Sequence, residues 1–562
     1  MTPEKRTITA LLSLFAILTG TACMAQFMTL EGRQFKDEKS RDFYPVACNF
    51  ISEYLYSASQ PGFFFPSPAK DHDGPCYECN SLTSCLDQFT ANFKRLKELK
   101  FNTIRLYMLN PGYYDKPGDS TRGWAVKALD LDFLRSVTCW TDKPKNAYTK
   151  PFYLSHEFGP DPNLDLVFSY YDSVLLRASR ESLKVLLNVG VAIGNYSPWF
   201  MDHYGNYLAL VGKHFASGNT PDSVKQAILA YVILEEPSKS WDLSSLWPAV
   251  SEGHTKRDAA RYVSMWCDSL KRYDPHHLIT MGFTPFDLFE FDPSVMKLDF
   301  ASPHIYPQKK EFEGNRAFQG MLGQVNGWFY WLANNLPMPY VIGETGFRSK
   351  YRDDAHPANQ GTNLQQRLYA ERSLQLARDC RASGYSWWYY QDYYWGNNTD
   401  CYWGLFGRDP QTWKTEAKPV AEAFRTYSPS TLAGAFRPPD SYYDPFHHQR
   451  YSRSYGVDRT HDLHGSVRDQ NGTPVKNAYV MGQTRLSGKG ASIKLYTHYT
   501  FTDDSGNFLL IPLDYDTGNE PNYNVIETLN ITAPGHSSFH TESWGPQGVK
   551  DGITVILEQI TR

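Results

Sequence analysis

From about residue 43 to residue 427, short apolar runs alternate with amphipathic stretches. The runs FYPVACNF, FNTIRLYM, KVLLNVGV, AILAYVIL, HHLITMGF, KLDFASPHIY, YVIGETGF and GYSWWYYQ are almost continuously apolar, as parallel strands buried on both faces require. Between several of them the spacing becomes helical. In CLDQFTANFKRLKELK, Leu86, Phe89, Phe93 and Leu96 fall on one helix face, and RDAARYVSMWCDSLKRY and NLQQRLYAERSLQLARDCRASG read the same way. The run FTPFDLFEF is assigned to the loop after the fifth strand. Eight strands separated by helices predict an α/β chain folded as a (β/α)8 barrel of the TIM type, spanning residues 26–427.

Beyond residue 427 the pattern changes. Residues 428–462 are rich in Pro, Ser, Tyr and Arg without periodicity and read as a linker. Residues 463–562 alternate polar and apolar positions between NG and SG turns, which predicts a small antiparallel β-sandwich. Within it, GSVRDQNGTPV, TDDSGNF and APGH resemble the carboxypeptidase regulatory-like domain, a prealbumin-type module of seven strands. That resemblance implies an accessory role. At the other end, Lys5 and Arg6 precede the apolar run ITALLSLFAILTGTA, the signature of a secretory signal over residues 1–25 with cleavage after Ala25. Lipidation at Cys23 is the alternative. No later segment is long and apolar enough to span a bilayer, so the expected location is secreted or periplasmic, or the outer surface if Cys23 is lipidated.

Charge narrows the partners. A net charge of −4 over 562 residues, with no basic run beyond pairs such as Lys309-Lys310, leaves no electrostatic footprint for nucleic acid. The 38 tyrosines and 14 tryptophans supply rings with an apolar face and a polar edge, which suit sugar surfaces as well as interiors. Cys76, Cys79 and Cys85 lie close together in DHDGPCYECNSLTSC and offer three zinc ligands, but no fourth follows at a metal-finger spacing. In an exported chain disulfides or free thiols are the expectation, and no metal is expected.

Side chains at the C-terminal ends of barrel strands converge on one mouth. Here those ends carry Arg105 and Tyr107, Asn188, Glu235 and Glu236, His304 and Tyr306, Glu344, and Trp387 and Trp388. Burying carboxylates and an arginine without a task is costly. Two carboxylates across a mouth are the equipment for retaining glycoside hydrolysis, one as nucleophile and the other as proton donor.

The segments FNTIR, ILEEP, DPHHLITMG, SPHIYP, VIGETGF and GYSWWYYQD resemble clan A of the glycoside hydrolases, closest to family five, which holds cellulases and mannanases. The resemblance implies that Glu236, before Pro237, is the acid/base and Glu344 the nucleophile. It also implies that Arg105 supports the nucleophile, that His304 and Tyr306 lie beside the reacting sugar, and that Trp387 or Trp388 forms its floor. The activity implied is hydrolysis of a β-linked oligo- or polysaccharide without metal or organic cofactor. Two departures stand out. The family's third-strand histidine is not evident in LNVGVAIGNYSPW, so Asn188, Asn195 and Trp199 are expected to line the site instead. Glu235 stands where the family has Asn, and a carboxylate can only accept the hydrogen bond that Asn would donate. If Glu235 faces the mouth, its charge raises the pKa of Glu236. If strict alternation turns it into the barrel wall, an Arg or Lys must neutralise it there. This departure also motivates the alternative of a non-catalytic carbohydrate-binding barrel.

Overall fold

The computed structural model describes residues 27–50, 82–107, 162–191, 198–236, 256–284, 296–307, 314–349, 361–392, 402–408, 415–427, 462–486, 494–510, 525–543 and 548–560, residue 293, and short strands between residues 55 and 154. The signal segment, Cys76 and nearly all of the linker lie outside the described residues.

All of the expected barrel strands form. They are β1 (Val46–Phe50), β2 (Thr103–Tyr107), β3 (Lys184–Val191), β4 (Ile228–Glu235), β5 (Leu278–Phe283), β6 (Ser302–Pro303), β7 (Val341–Thr345) and β8 (Gly384–Trp387). They make one eight-stranded parallel sheet in the order β6-β5-β4-β3-β2-β1-β8-β7. Parallel bridges Ala301↔Tyr340 and His304↔Glu344 join its two edges and close the barrel. Around it lie α1 (Leu82–Glu98), α2 (Pro162–Arg180), α3 (Pro198–Phe215), α4 (Lys256–Lys271), α5 (Gly314–Asn335) and α6 (Asn363–Asp379).

Strand alternation divides the core into two layers. Outward residues such as Cys48, Ile104, Leu106, Val185, Leu187, Tyr231, Met281 and Trp387 pack with helix residues including Phe89, Phe93, Leu208 and Leu374. Inward residues Ala47, Leu186, Ala230, Val232, Leu278 and Val341 fill the lower barrel together with Met28, Phe35 and Phe300. Phe35 belongs to an N-terminal antiparallel sheet, Thr29–Glu31, Gln34–Lys36 and Asp42–Phe43, and its ring meets Phe300 edge-on at 5.2 Å. The apolar packing of the interior stops there. Above it the inward positions are Asn49, Arg105, Asn188 and Glu235, all buried.

After the linker, β9 (Leu463–Asp469), β10 (Tyr479–Leu486), β11 (Lys494–Phe501), β12 (Asn507–Leu510), β13 (Thr528–Thr532), β14 (Phe539–Glu542) and β15 (Ile553–Leu557) form two sheets, β12-β9-β15 and β11-β10-β13-β14. The NG turn behaves as its sequence predicts: Gly472 adopts φ +81° and its N–H donates to Asp469 O at 2.9 Å. One feature departs from the antiparallel expectation, since β9 and β15 pair in parallel. This β domain packs on the barrel through α5, where Trp328 and Trp331 meet Tyr479 and Phe501 at ring separations of 5.3 to 5.9 Å.

Candidate active site

Adjacent residues on a regular strand face opposite sides, yet Glu235 and Glu236 both reach the barrel mouth. Two local irregularities make this possible. Between Val232 and Glu235, β4 spends three steps where β5 spends two, from Thr280 to Gly282, so Ile233 and Leu234 both join the outer layer and Glu235 returns to the interior. Such bulges re-aim side chains and favour sites of this kind. The next residue, Glu236, has φ +38° while its N–H bonds to Gly282 O at 3.1 Å. This left-handed backbone costs on the order of 1 to 3 kcal/mol for a non-glycine residue. It turns the second carboxyl back toward the mouth. A similar shift between Ile342 and Thr345 in β7 accompanies Glu344.

Arg105 is the hub. Its guanidinium is fully buried; Nη1 donates to Glu344 Oε1 at 2.5 Å, to Asn49 Oδ1 at 2.9 Å and to the Tyr107 hydroxyl at 2.6 Å. Nη2 donates to Glu235 Oε1 and lies 3.2 Å from His304 Nε2. Burial opposes the guanidinium charge, but Glu235, Tyr107 and Glu344 outweigh it and hold the pKa above its ordinary value. Glu344 also accepts from the Tyr107 hydroxyl at 2.8 Å on Oε1 and from the Tyr306 hydroxyl at 2.7 Å on Oε2. Burial pushes both phenols well above their usual pKa, so both act as donors to the carboxylate. His304 Nδ1 lies 2.7 Å from Glu236 Oε1 and 3.5 Å from Glu344 Oε2.

Glu235 is held inside the barrel. Asn188 Nδ2 donates to its Oε1 at 2.6 Å, alongside Arg105. The partner foreseen for a barrel-wall position is therefore present, but it lies inside the barrel rather than in the helix layer. Burial raises the Glu235 pKa, opposed by the charges of Arg105 and His304, and the balance lies above the ordinary 4.5. Glu235, His304 and Glu344 offer three ligand atoms within 4.8 Å of one another. The Arg105 guanidinium bonds both of those carboxylates and already supplies the cation a metal would bring.

The tryptophan pair separates. Trp387 is a correction to the expected sugar contacts: its indole is fully buried in the helix layer, 5.7 Å from Phe424, with Nε1 bonded to Trp403 O. Trp388 is half-buried and meets Tyr107 edge-on at 6.1 Å. It sits with Tyr306, Tyr389 and Trp403 in an aromatic cluster beside Glu344. Asn49 and Trp403 were not foreseen. Asn49 ties the rim together, donating to Gly343 O, Ser386 Oγ and Trp387 O; alternation from Ala47 in FYPVACNF could have found it. Asn195 lies outside the described residues, and of Trp199 only its place in α3 is described.

No family model matches the chain and no curated protein matches it. Among solved structures, it is similar to the exo-β-1,4-mannosidase Op5Man5 of Opitutaceae bacterium strain TAV5, at 14% identity over 72% of this chain and 62% of that one, with a TM-score of 0.43. It is also similar to GH5_18 of Streptomyces cattleya, at 14% identity over 63% and 77% with a TM-score of 0.40. A third is the β-glucuronidase of Bifidobacterium dentium, at 13% identity over 73% and 49% with a TM-score of 0.41. The chain thus spans less than two thirds of the mannosidase's length and about half of the glucuronidase's.

Proposed function

We propose that this chain is a retaining glycoside hydrolase, similar to family five of clan A, that cleaves a β-linked oligo- or polysaccharide. One observation carries the reading. Glu236 and Glu344 both lie against His304 Nδ1, at 2.7 and 3.5 Å, so their facing oxygens are no more than about 6 Å apart. That limit admits the separation of about 5 to 5.5 Å between carboxyls of a nucleophile and its acid.

In this reading Glu344 attacks the anomeric carbon while the bond to the leaving oxygen breaks, and that oxygen takes the proton of Glu236. Water then attacks the glycosyl ester, gives its proton to Glu236 and frees Glu344. Arg105, Tyr107 and Tyr306 donate to Glu344 and keep it aimed. Trp388 supplies a ring beside the reacting sugar. The N-terminal segment supports export, and the β domain carries no acid, base or nucleophile assigned to this chemistry.

The test is turnover of a panel of β-mannan, β-glucan, xylan and galactan oligosaccharides, followed by the matching 2-deoxy-2-fluoro glycoside. The expected results are a product of retained anomeric configuration and a trapped sugar on the peptide containing Glu344. Inverted product, or a sugar trapped on another residue, overturns the assignment.

A further inference from the structure

Three carboxyls, Glu235, Glu236 and Glu344, converge with one permanent cation, Arg105. With Glu344 ionised and Glu236 holding its proton, as the proposed function requires, Glu235 leaves the buried site one negative charge in excess. Its Oε1 already receives Arg105 and Asn188. Its Oε2 is buried and makes no hydrogen bond, facing His304 Nε2 at 3.5 Å. A buried ionised oxygen without a donor is costly to hold.

Two glycines hold the imidazole in place. A Cβ on Gly282 would lie 2.0 Å from Glu235 Oε2 and 2.9 Å from His304 Cε1 and Nε2. On the other side a Cβ on Gly343 would lie 3.1 Å from His304 Cδ2. Carboxylate oxygen and imidazole edge therefore share one notch over β5. The groups facing His304 are Arg105 from β2, Glu235 and Glu236 from β4, and Glu344 from β7. Three of the four are carboxyls, and they address both ring nitrogens.

A neutral imidazole could donate from Nδ1 to Glu236 and accept from Arg105 at Nε2, but Oε2 of Glu235 would then stay without a donor. Only the cation carries hydrogen on both nitrogens. We propose that Glu235 brings a second positive charge into the site by holding His304 as an imidazolium, so that Arg105 and His304 balance Glu235 and Glu344 while Glu236 keeps its proton. Glu235 is thus a positioning residue acting through His304. The inference rests on the glycosidase reading for the states of Glu236 and Glu344. Burial and the Arg105 charge pull the His304 pKa down, but Glu344 and the bond to Glu236 lift it above the ordinary 6.5.

The test reads protonation without turnover, so absence of hydrolysis leaves it intact. Protein labelled with ¹³C,¹⁵N-histidine is titrated by NMR, with His304→Gln assigning the resonance. Above the ordinary histidine pKa of 6.5, His304 should still show two protonated nitrogens. In Glu235→Gln its midpoint should fall by about one pH unit, a tenfold loss of proton affinity. A neutral His304 in the native protein, or the same midpoint in Glu235→Gln, overturns the proposal. Should that variant fail to fold, Glu235→Asn replaces it, and the native measurement decides by itself.

Discussion

Trp387 and Trp388, adjacent in sequence, face opposite sides of the barrel wall. The first packs against Phe424 of the outer layer and the second against Tyr107 at the mouth. Trp387→Ala should therefore cost about 3 to 5 kcal/mol of stability, the usual loss for a buried aromatic. Trp388→Ala should leave the melting temperature nearly unchanged and raise KM. Denaturant melts and steady-state kinetics on both variants check this.

The two carboxyls proposed as acid and nucleophile should be separable by leaving group. Glu236→Gln removes the proton donor, so kcat/KM for a poor leaving group should fall by about 10² to 10⁴, and far less for an activated aryl glycoside. Glu344→Gln should abolish turnover of both. Kinetics on a matched pair of substrates distinguish the two roles.

At the opposite end of β4, Tyr231 donates to Asp274 Oδ2 at 2.7 Å, and His277 Nδ1 lies 2.6 Å from the same oxygen. Burial alone would raise the Asp274 pKa, but the bonds from His277 and Tyr231 outweigh it and hold it below the ordinary 3.8. A carboxyl with a depressed pKa stabilises the fold above its unfolded value. That contribution is lost as pH falls through the folded one. Acid melts of the native protein should decline below about pH 3.8 more steeply than those of Asp274→Asn, which should start about 1 to 3 kcal/mol less stable at neutral pH.

The sandwich reads in sequence as a module that folds alone and is dispensable for turnover. The Trp331 indole N–H nevertheless donates to Asn477 O at 3.1 Å, and its ring stacks on Phe501. A chain ending at residue 462 uncovers those rings. It should turn over a small soluble substrate at an unchanged rate at room temperature and unfold at a lower temperature. Thermal melts and kcat on the shortened chain check both; an equal melting temperature would show that the contact contributes nothing.

The barrel was legible in the sequence because each strand is buried on both faces and writes its burial as an apolar run. The polar residues that break those runs then mark the mouth, which is why Arg105, Glu344, His304 and Tyr306 could be read directly. What could not be read depends on neighbours distant in sequence. Alternation gives the period of a strand but not its phase, so Trp387 and Trp388 stayed equivalent until β8 was set beside β7 and β1. The bulge that turns Glu235 inward is a mismatch between β4 and β5. Trp403 reaches the site from a stretch, CYWGLFG, with no periodicity. The parallel pairing of β9 with β15 joins the two ends of the β domain, and no local pattern announces it.

The barrel seam has a kinetic consequence. Between β6 and β7 the wall is fastened by isolated bridges, and the Ile305 N–H donates to the carbonyl of Glu344 at 2.8 Å. The main chain of the residue proposed as nucleophile is thus one of the latches that keep the cylinder shut. When the seam breathes, Glu344 moves away from His304 and Tyr306 on the β6 side and the Ile305 amide becomes free to exchange with solvent. Exchange at that single amide therefore counts the moments in which the proposed acid and nucleophile are pulled apart. A sugar held by Glu344 on the β7 side of the seam and by Tyr306 on the β6 side would slow it.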